Sequence, residues 1–452
     1  MDPRFGFAWD VFSSGKTALK GGFGIFRNQL LHNNGYYQVI RSSPGGLLLN
    51  ATNPNFPDPN VASAHPVTGV VPSRTYNPTG TAQGGAHVLP EVPATPSAMH
   101  WNLTLDQQLT PNTTVRLGYL GSHGYHLESG YPANTNTYVD LAAGGLCGTT
   151  VLPGGGRCFA PAGVHRLRPD FSGGVDFAAF DFNSFYNAFT VTFGRRATRG
   201  LGFEASYAFS RGTDDTSLGL RWRVNSTSEM RLPDGRRNTY HGLSGFDMRN
   251  RFVSNITYEL PRWALANAFA AKLVSGWQVN SIVTIQGGTP FTAWVGFDRA
   301  NQAGQNAPEQ QRPDLRPGAN SNRTSGTSAG CNNPNGSVAI APGARLGTPD
   351  LFFDPCVFAL QPRFTYGNAG RNTIIGPGLV NFDINLVKNT ALTERMSLQF
   401  RAEGYNIFNN VNFLQPSSRM FETNGSYSSG AGKIVGTSTD SRQFQFALKL
   451  LF

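Results

Sequence analysis

The stretch Arg442–Phe452, RQFQFALKLLF, carries apolar side chains at every second position. These are Phe444, Phe446, Leu448, Leu450 and Phe452, and mainly polar residues fill the gaps between them. An alternation with period two predicts a β-strand with one apolar face and one polar face. Because an exposed apolar strand at a sheet edge promotes aggregation, we expect this strand to belong to a wall whose apolar face meets lipid.

The same alternation recurs along the chain and predicts eleven strands in all. The first ten lie in RFGFAWDVF, TALKGGFGIF, WNLTLDQQL, VRLGYLGSHGYHL, FYNAFTVTFGRR, LGFEASYAFSR, RFVSNITYEL, GWQVNSIVTIQ, LVNFDINLVK and MSLQFRAEGYNIF. Mostly short turns join the two strands of each successive pair, whereas long loops rich in Gly, Pro, Asn and Ser separate the pairs. These loops cover about Asn28–Pro96, Gly124–Asn183, Gly212–Met248, Gly287–Gly378 and Asn409–Ser441.

The composition fits a wall with two different faces better than a soluble domain. Only 14% of the 452 residues are charged and 12% are aromatic, whereas soluble proteins carry about 25% charged residues. The formal net charge is +10, but no run of Lys and Arg is longer than a pair, so we expect no nucleic-acid partner. No apolar stretch reaches the length of about 18 residues that predicts a transmembrane helix.

Short turns at one end and long loops at the other are typical of an outer-membrane barrel. A strand of about ten residues, rising about 3.3 Å per residue and tilted by about 45°, spans about 23 Å, close to the apolar band of such barrels. Soluble β-sandwiches and propellers also have alternating strands, but theirs are usually about five or six residues long. The sequence therefore predicts an all-β, antiparallel transmembrane β-barrel in the bacterial outer membrane, with membrane lipid as a partner.

The number of predicted strands is odd. With eleven strands, the first and the last would run in the same direction, whereas single-chain bacterial barrels have even strand numbers and close antiparallel. We therefore interpret residues 1–452 as one domain, the C-terminal part of an outer-membrane barrel whose signal peptide and plug are absent from this sequence. Eleven strands would be half of a barrel of about 22 strands, the size of plugged outer-membrane transporters.

The four cysteines predict two local disulfides. Cys147 and Cys158 are close in sequence, and Cys331 and Cys356 lie in another polar region rich in Gly and Pro. No C-x-x-C motif or neighbouring His cluster indicates zinc, and we predict no metal and no cofactor. Disulfides in loops would imply an oxidising compartment.

Several stretches of this sequence resemble one known family. They are PRFGFAWDVF, GKTALKGGFGIF, YLGSHGYHL, FYNAFTVTFGRRATRGLGFEASYAFSR, GFDMRNRFVSNITYELP, GWQVNSIVTIQGGTPFT and FTYGNAGRNTIIGPGLVNFDINLVKNTALTERMSLQFRAEGYNIFNNVNF, followed by the C-terminal Phe. Together they resemble the Oar-like TonB-dependent receptors, and the block Gly367–Asn410 is the most specific part. The resemblance covers most strands from Pro3 to Phe452 and leaves the loops unplaced.

The resemblance implies a plugged barrel that takes up a ligand actively. The ligand would bind the outer loops and the plug, and the TonB complex would act through an N-terminal part that this sequence does not contain. The energy would come from the proton gradient of the inner membrane, so no catalytic residue is needed and we do not expect an enzyme. The alternating C-terminal strand and its last Phe look like the signal that the bacterial β-barrel assembly machinery recognises in its clients.

Alternation also selects candidate functional residues. Polar residues opposite the lipid face should face the lumen, where they would contact a plug or a ligand, or simply line a solvated wall. They are Lys20, Arg116, Glu204, Arg251, Glu259, Asp383, Arg401 and Glu403. In the loops, Tyr36, Tyr37 and Trp222 could stack on a sugar or an aromatic ligand, although loop aromatics more often pack against neighbours.

Two functions remain open from the sequence. One is a TonB-dependent transporter for a small-molecule, peptide or glycan ligand that the sequence does not identify. The other is a passive porin or an adhesin-like barrel, which would have no plug.

Overall fold

The computed structural model describes residues 2–28, 86–88, 94–132, 136–159, 175–217, 240–261, 268–302 and 311–452. Within these ranges, eleven long strands form one antiparallel sheet in the order of the sequence. The strands are β1 (Arg4–Asp10), β2 (Thr17–Arg27), β3 (Ser97–Thr110), β4 (Thr113–Pro132), β5 (Val175–Thr198), β6 (Leu201–Asp214), β7 (Asn250–Glu259), β8 (Trp277–Gln286), β9 (Leu379–Ala391), β10 (Ser397–Tyr405) and β11 (Gln443–Leu451). The predicted all-β class, strand number and pairing are confirmed.

The sheet is open in the described part of the chain, since β1 pairs only with β2 and β11 only with β10. Two short strands extend its rim. Ala86–Val88 pairs with β5 in parallel, and Gly242–Leu243 pairs with β6. The open sheet is consistent with the prediction of half a barrel.

Two strands are longer than the sequence indicated. β4 has 20 residues and β5 has 24, whereas we expected about ten in each. Their pairing continues, through two irregular steps near Phe182, as far as Asp176 opposite Pro132. The predicted loop Gly124–Asn183 is therefore too long, because these two strands hydrogen-bond each other far beyond the length that a bilayer requires. In β5 the apolar residues change phase along this extension, since Phe177 and Phe185 are odd-numbered but Phe180 and Phe182 are even-numbered. A strict period of two therefore ended the predicted strand early.

Strand register gives the sheet one apolar face and one polar face. Phe5 lies opposite Phe23, and Phe23 lies opposite Trp101, so the aromatic residues of the first three strands share one face. At the other edge, Phe446 lies opposite Ala402 and its side chain is 69% exposed. Large exposed apolar side chains along this face are what a lipid-facing wall requires.

The largest buried core lies in the loops and not in the sheet. Its buried residues are Phe291, Ala293, Phe353, Val357, Phe358, Ala369, Ile374, Met420, Phe421 and Ala431. They come from the β8–β9 and β10–β11 connections, and we call this region the loop core. Its short elements are the strands Pro290–Phe291, Asp314–Leu315, Cys331–Asn332, Val338–Ile340, Phe358–Ala359 and Ile374–Ile375, and the 3-10 helix Pro355–Val357.

Both predicted cysteine pairs are joined in the structure. Cys331 and Cys356 form a disulfide within the loop core, with their Cα atoms 5.5 Å apart. Cys147 and Cys158 form the other, also with Cα atoms 5.5 Å apart. This second disulfide holds together four short strands of the β4–β5 connection, Tyr138–Leu141, Gly145–Cys147, Thr150–Leu152 and Gly156–Phe159. The Phe159 backbone N–H donates to the Phe364 carbonyl, so this connection is fastened to the β8–β9 connection.

The β7–β8 turn contains a short helix, α1 (Ala268–Val274), which we had not predicted. Lys388 lies on the apolar face of β9, and its ammonium group donates to the carbonyls of Lys272 and Ser275 at the end of the helix. The Trp277 indole N–H donates to the Leu273 carbonyl. These donors satisfy carbonyls that a helix end leaves without intrahelical partners. Among the helices of the described residues, none combines the length and hydropathy needed to cross a bilayer.

Candidate functional site

The strand register places all eight of the predicted lumen-facing residues on the polar face of the sheet. These are Lys20, Arg116, Glu204, Arg251, Glu259, Asp383, Arg401 and Glu403. For example, Glu403 lies opposite Asn385 on one side and Gln445 on the other. The polar face is therefore a continuous surface that extends across the whole sheet. Its orientation towards a lumen remains a prediction.

An acidic residue that we had not selected connects two of the predicted residues. Asp106 accepts from the Lys20 ammonium group at 2.8 Å and from Arg116 Nε at 2.6 Å. The three residues lie on adjacent strands, β2, β3 and β4. Asp106 alternates with Leu105 within its strand, so the criterion that selected Lys20 and Arg116 could have found it. Both cationic side chains are at least half exposed, so they remain accessible on the polar face.

Near the loop end of the sheet, hydrogen bonds hold two further carboxylates, those of Asp383 and Glu403. Asp383 accepts from the Asn406 backbone N–H at 2.8 Å and from Asn381 Nδ2 at 2.9 Å. The Tyr405 hydroxyl donates to Glu403 Oε2 at 2.9 Å. In the described ranges, no group of three or more His, Cys, Asp or Glu side chains is arranged to hold a metal ion.

The buried side chain of Arg371 links the sheet to the loops. Its side chain is 1% exposed and forms an ion pair with Asp214, whose side chain is 5% exposed. Arg371 Nε donates to the Tyr240 carbonyl at 2.7 Å, and Nη1 donates to Ser217 Oγ at 3.2 Å. One guanidinium thus joins the end of β6, the β6–β7 connection and the β8–β9 connection. Its block, GNAGRN, is part of the family resemblance, but no sequence pattern indicates this role.

A histidine and an aspartate also meet at the loop end of β6. His241 Nδ1 lies 2.8 Å from Asp215 Oδ1, and the Asp215 carboxylate also accepts from the Asn183 backbone N–H at 2.8 Å. The two residues are 26 positions apart in the sequence, and no motif relates them. The structure brings them together where β6 ends and its pairing with β5 stops, at Ser184 opposite Asp214. Their hydrogen bonds join the end of β6 to Asn183, which lies within β5, and to the β6–β7 connection.

Burial changes the ionisation of two groups in the loops. The pKa of the Asp314 carboxyl is raised above its ordinary value because burial disfavours the charged form, and a hydrogen bond from the Asn368 backbone N–H at 3.0 Å partly opposes this. The pKa of Arg299 is lowered by burial and by the positive charge of nearby Arg363. The loop core therefore contains ionised groups that are costly to bury.

Replacing Asp314 by asparagine should make the loop core less sensitive to pH. In the unmodified protein, the folded pKa lies above the unfolded value of about 3.9, so stability falls as pH rises from that value through the folded pKa. The asparagine side chain cannot ionise but can still accept from the Asn368 N–H. Urea midpoints of loop unfolding at a series of pH values would measure the effect. An unchanged pH dependence in Asp314→Asn would contradict this explanation.

Three predicted ligand-contacting residues, Tyr36, Tyr37 and Trp222, lie outside the described residues. Their role stays a prediction.

Comparison with known proteins identifies one matching family. The profile of the family described as "Outer membrane beta barrel domain" matches residues 1–445. No curated protein matches the chain.

Solved structures similar to this chain include those of three bacterial proteins. They are the outer membrane transporter YddB from Escherichia coli, the siderophore receptor PirA from Acinetobacter baumannii and a mutant of the ferric enterobactin receptor PfeA from Pseudomonas aeruginosa. Their sequence identities are 9%, 10% and 11%, and their TM-scores are 0.48, 0.41 and 0.41. Each alignment covers 100% of this chain and 40% of the other, so the chain spans about two fifths of the length of these proteins.

Proposed function

Because this chain belongs to the family of outer membrane beta barrel domains, we propose that it forms the C-terminal barrel portion of a TonB-dependent receptor that imports a small-molecule, peptide or glycan ligand. The chain is located in the bacterial outer membrane, in agreement with the description of its family. The ligand, the import activity and the TonB complex as a partner are parts of the proposal.

The open sheet with its two faces is the observation that carries this proposal. β1 and β11 run in the same direction in a sheet of eleven strands. An odd number of further strands would give the even, antiparallel closure of bacterial barrels. Eleven more would complete a barrel of about 22 strands, which is wide enough to hold a plug. The family resemblance of the block Gly367–Asn410 supports the same assignment.

In this proposal, the polar face lines the lumen and performs no catalysis. Its eight predicted residues contact the domain that fills the lumen or the ligand on its passage. The apolar face meets outer-membrane lipid, because hydrocarbon cannot satisfy buried charges or unpaired backbone groups. The loop core and the disulfide-linked β4–β5 connection lie at the end where the ligand would first bind. The side chains Phe444, Phe446, Leu448, Leu450 and Phe452 form the signal for the β-barrel assembly machinery.

Conductance separates this receptor from a passive barrel. The full-length protein, purified from outer membranes and inserted into planar lipid bilayers in concentrated potassium chloride, should show no steady open channel, because a domain fills its lumen. It should also retain the periplasmic domain of TonB on an affinity column. Stable stepwise conductance without TonB binding would overturn the proposal and favour a porin.

A further inference from the structure

A large cavity lies on the polar face near the turn end of β2 to β7. Its volume is about 830 Å³, within the range of ligand-binding clefts. Among the described residues that line it, the ionisable side chains of the polar face are Lys16, Lys20, Arg116 and Arg196 against Asp106 and Glu204. We call this surface the basic groove.

The cations of the basic groove are only partly neutralised. Asp106 carries one negative charge but contacts both Lys20 and Arg116. Lys20 and Arg116 are 50% and 59% exposed, so each can make further contacts on the groove surface. Glu204 also interacts electrostatically with Arg116. Two anions therefore oppose four cations, and an excess of positive charge remains on the groove.

The excess of positive charge is specific to this part of the polar face. In β7 to β11, as far as the structure describes them, the polar face carries three cations and three anions. The cations are Arg251, Arg401 and Lys449, and the anions are Glu259, Asp383 and Glu403. The remaining polar positions there are mainly amides, such as Asn280 and Gln445. The excess of positive charge is therefore concentrated at the groove. A wall that attracted anions along its whole surface would carry such an excess on β7 to β11 as well.

The groove has the dimensions of an extended peptide. It crosses six neighbouring strands, from Lys16 beside β2 to Asn255 on β7. With strands about 4.8 Å apart, its length is about 24 Å, which corresponds to about seven extended residues. Gly194 lies in its wall and presents no side chain, so a backbone can approach the sheet closely at this position. A single small anion would contact only part of this surface.

We propose that the basic groove binds an extended, acidic segment of polypeptide whose carboxylates pair with Lys16, Lys20, Arg116 and Arg196. Charged hydrogen bonds of this kind are stronger than neutral ones, especially where a barrel wall excludes much of the water. The inference rests on the proposed function in one respect, because it takes the polar face to be the inner wall of a barrel. It does not depend on import or on the identity of the imported ligand.

Carbodiimide cross-linking in isolated outer membranes tests this proposal on the full-length protein. The reagent condenses an amine with a carboxylate in contact, forming an amide, and takes up the released water as a urea. The Lys20–Asp106 pair, 2.8 Å apart, is the internal reference for reagent access. We expect Lys16 to be joined to an Asp or Glu in a segment with at least two carboxylates within about seven residues. Peptide mass spectrometry would identify that segment.

Matched variants show whether the groove charge is responsible. Replacing Arg116 and Arg196 by glutamine keeps the Lys20–Asp106 reference and should reduce the Lys16 cross-link at least tenfold. Replacing Arg401 and Lys449, which lie on the same face outside the groove, should leave it unchanged. The proposal is wrong if Lys16 forms no amide with a residue outside the groove while the Lys20–Asp106 reference is fully cross-linked. It is also wrong if the segment joined to Lys16 does not contain more acidic than basic residues. A cross-link in a protein that conducts as an open porin would overturn the proposed function but support the acidic partner.

Discussion

Replacing Arg371 by alanine should destabilise the loop core by about 3–5 kcal/mol, because it leaves the Asp214 carboxylate buried without its cationic partner. The same change removes the hydrogen bonds to the Tyr240 carbonyl and to Ser217. We expect the connections around Tyr240 and Asn372 to lose most of their protection from hydrogen exchange. The strands of the sheet should keep theirs, since their ladders do not include this guanidinium.

Two further variants show whether the effect comes from losing the Arg371–Asp214 ion pair or would follow the loss of any arginine in these loops. Arg345 is an exposed residue of the same β8–β9 connection, and Arg345→Ala should change protection very little. A double replacement, Arg371→Met with Asp214→Leu, removes both charges and should recover part of the stability. If Arg371→Ala behaved like Arg345→Ala in hydrogen exchange, the buried pair would not hold the loops together.

The strands could be predicted from the sequence because their signal is local. In β10, Leu398 and Phe400 alternate with Gln399 and Arg401, so a few neighbouring residues reveal the strand and both of its faces. The same property explains why all eight candidates of the polar face lie on one surface. Strand ends were harder to predict, because the pairing of β4 with β5 continues through irregular steps near Phe182 at which the apolar pattern of β5 changes phase.

The connections between loops could not be predicted, because they join residues that are distant in sequence. Arg371 and Asp214 are 157 positions apart, and no periodicity relates them. The cysteine pairs were accessible, since 11 and 25 residues separate their members and no other arrangement was as local. The basic groove is an intermediate case. Alternation places its charges on one face, but only the register shows that they meet at one end.

The two faces of β11 differ so much that the same substitution should have a large effect at one position and almost none at its neighbour. Phe446→Arg should strongly impair folding of the full-length protein in lipid vesicles, because an arginine on the lipid face near the bilayer midplane costs about 2–4 kcal/mol. The side chain is 69% exposed on the apolar face and lies near the ring of Phe400, with centroids 6.4 Å apart. The cost corresponds to a factor of about 30 to 900 in the folding equilibrium.

The matched substitution is Gln445→Arg, one residue earlier in the same strand. Gln445 lies on the polar face directly opposite Glu403, so an arginine there gains a nearby carboxylate and meets no lipid. We expect its folding in vesicles, followed by denaturant titration, to remain close to that of the unmodified protein. The opposite order of effects would mean that the Phe and Leu face is the inner one. Equal tolerance of both changes would mean that neither face of β11 contacts hydrocarbon, and the assignment of this strand to the membrane wall would fail.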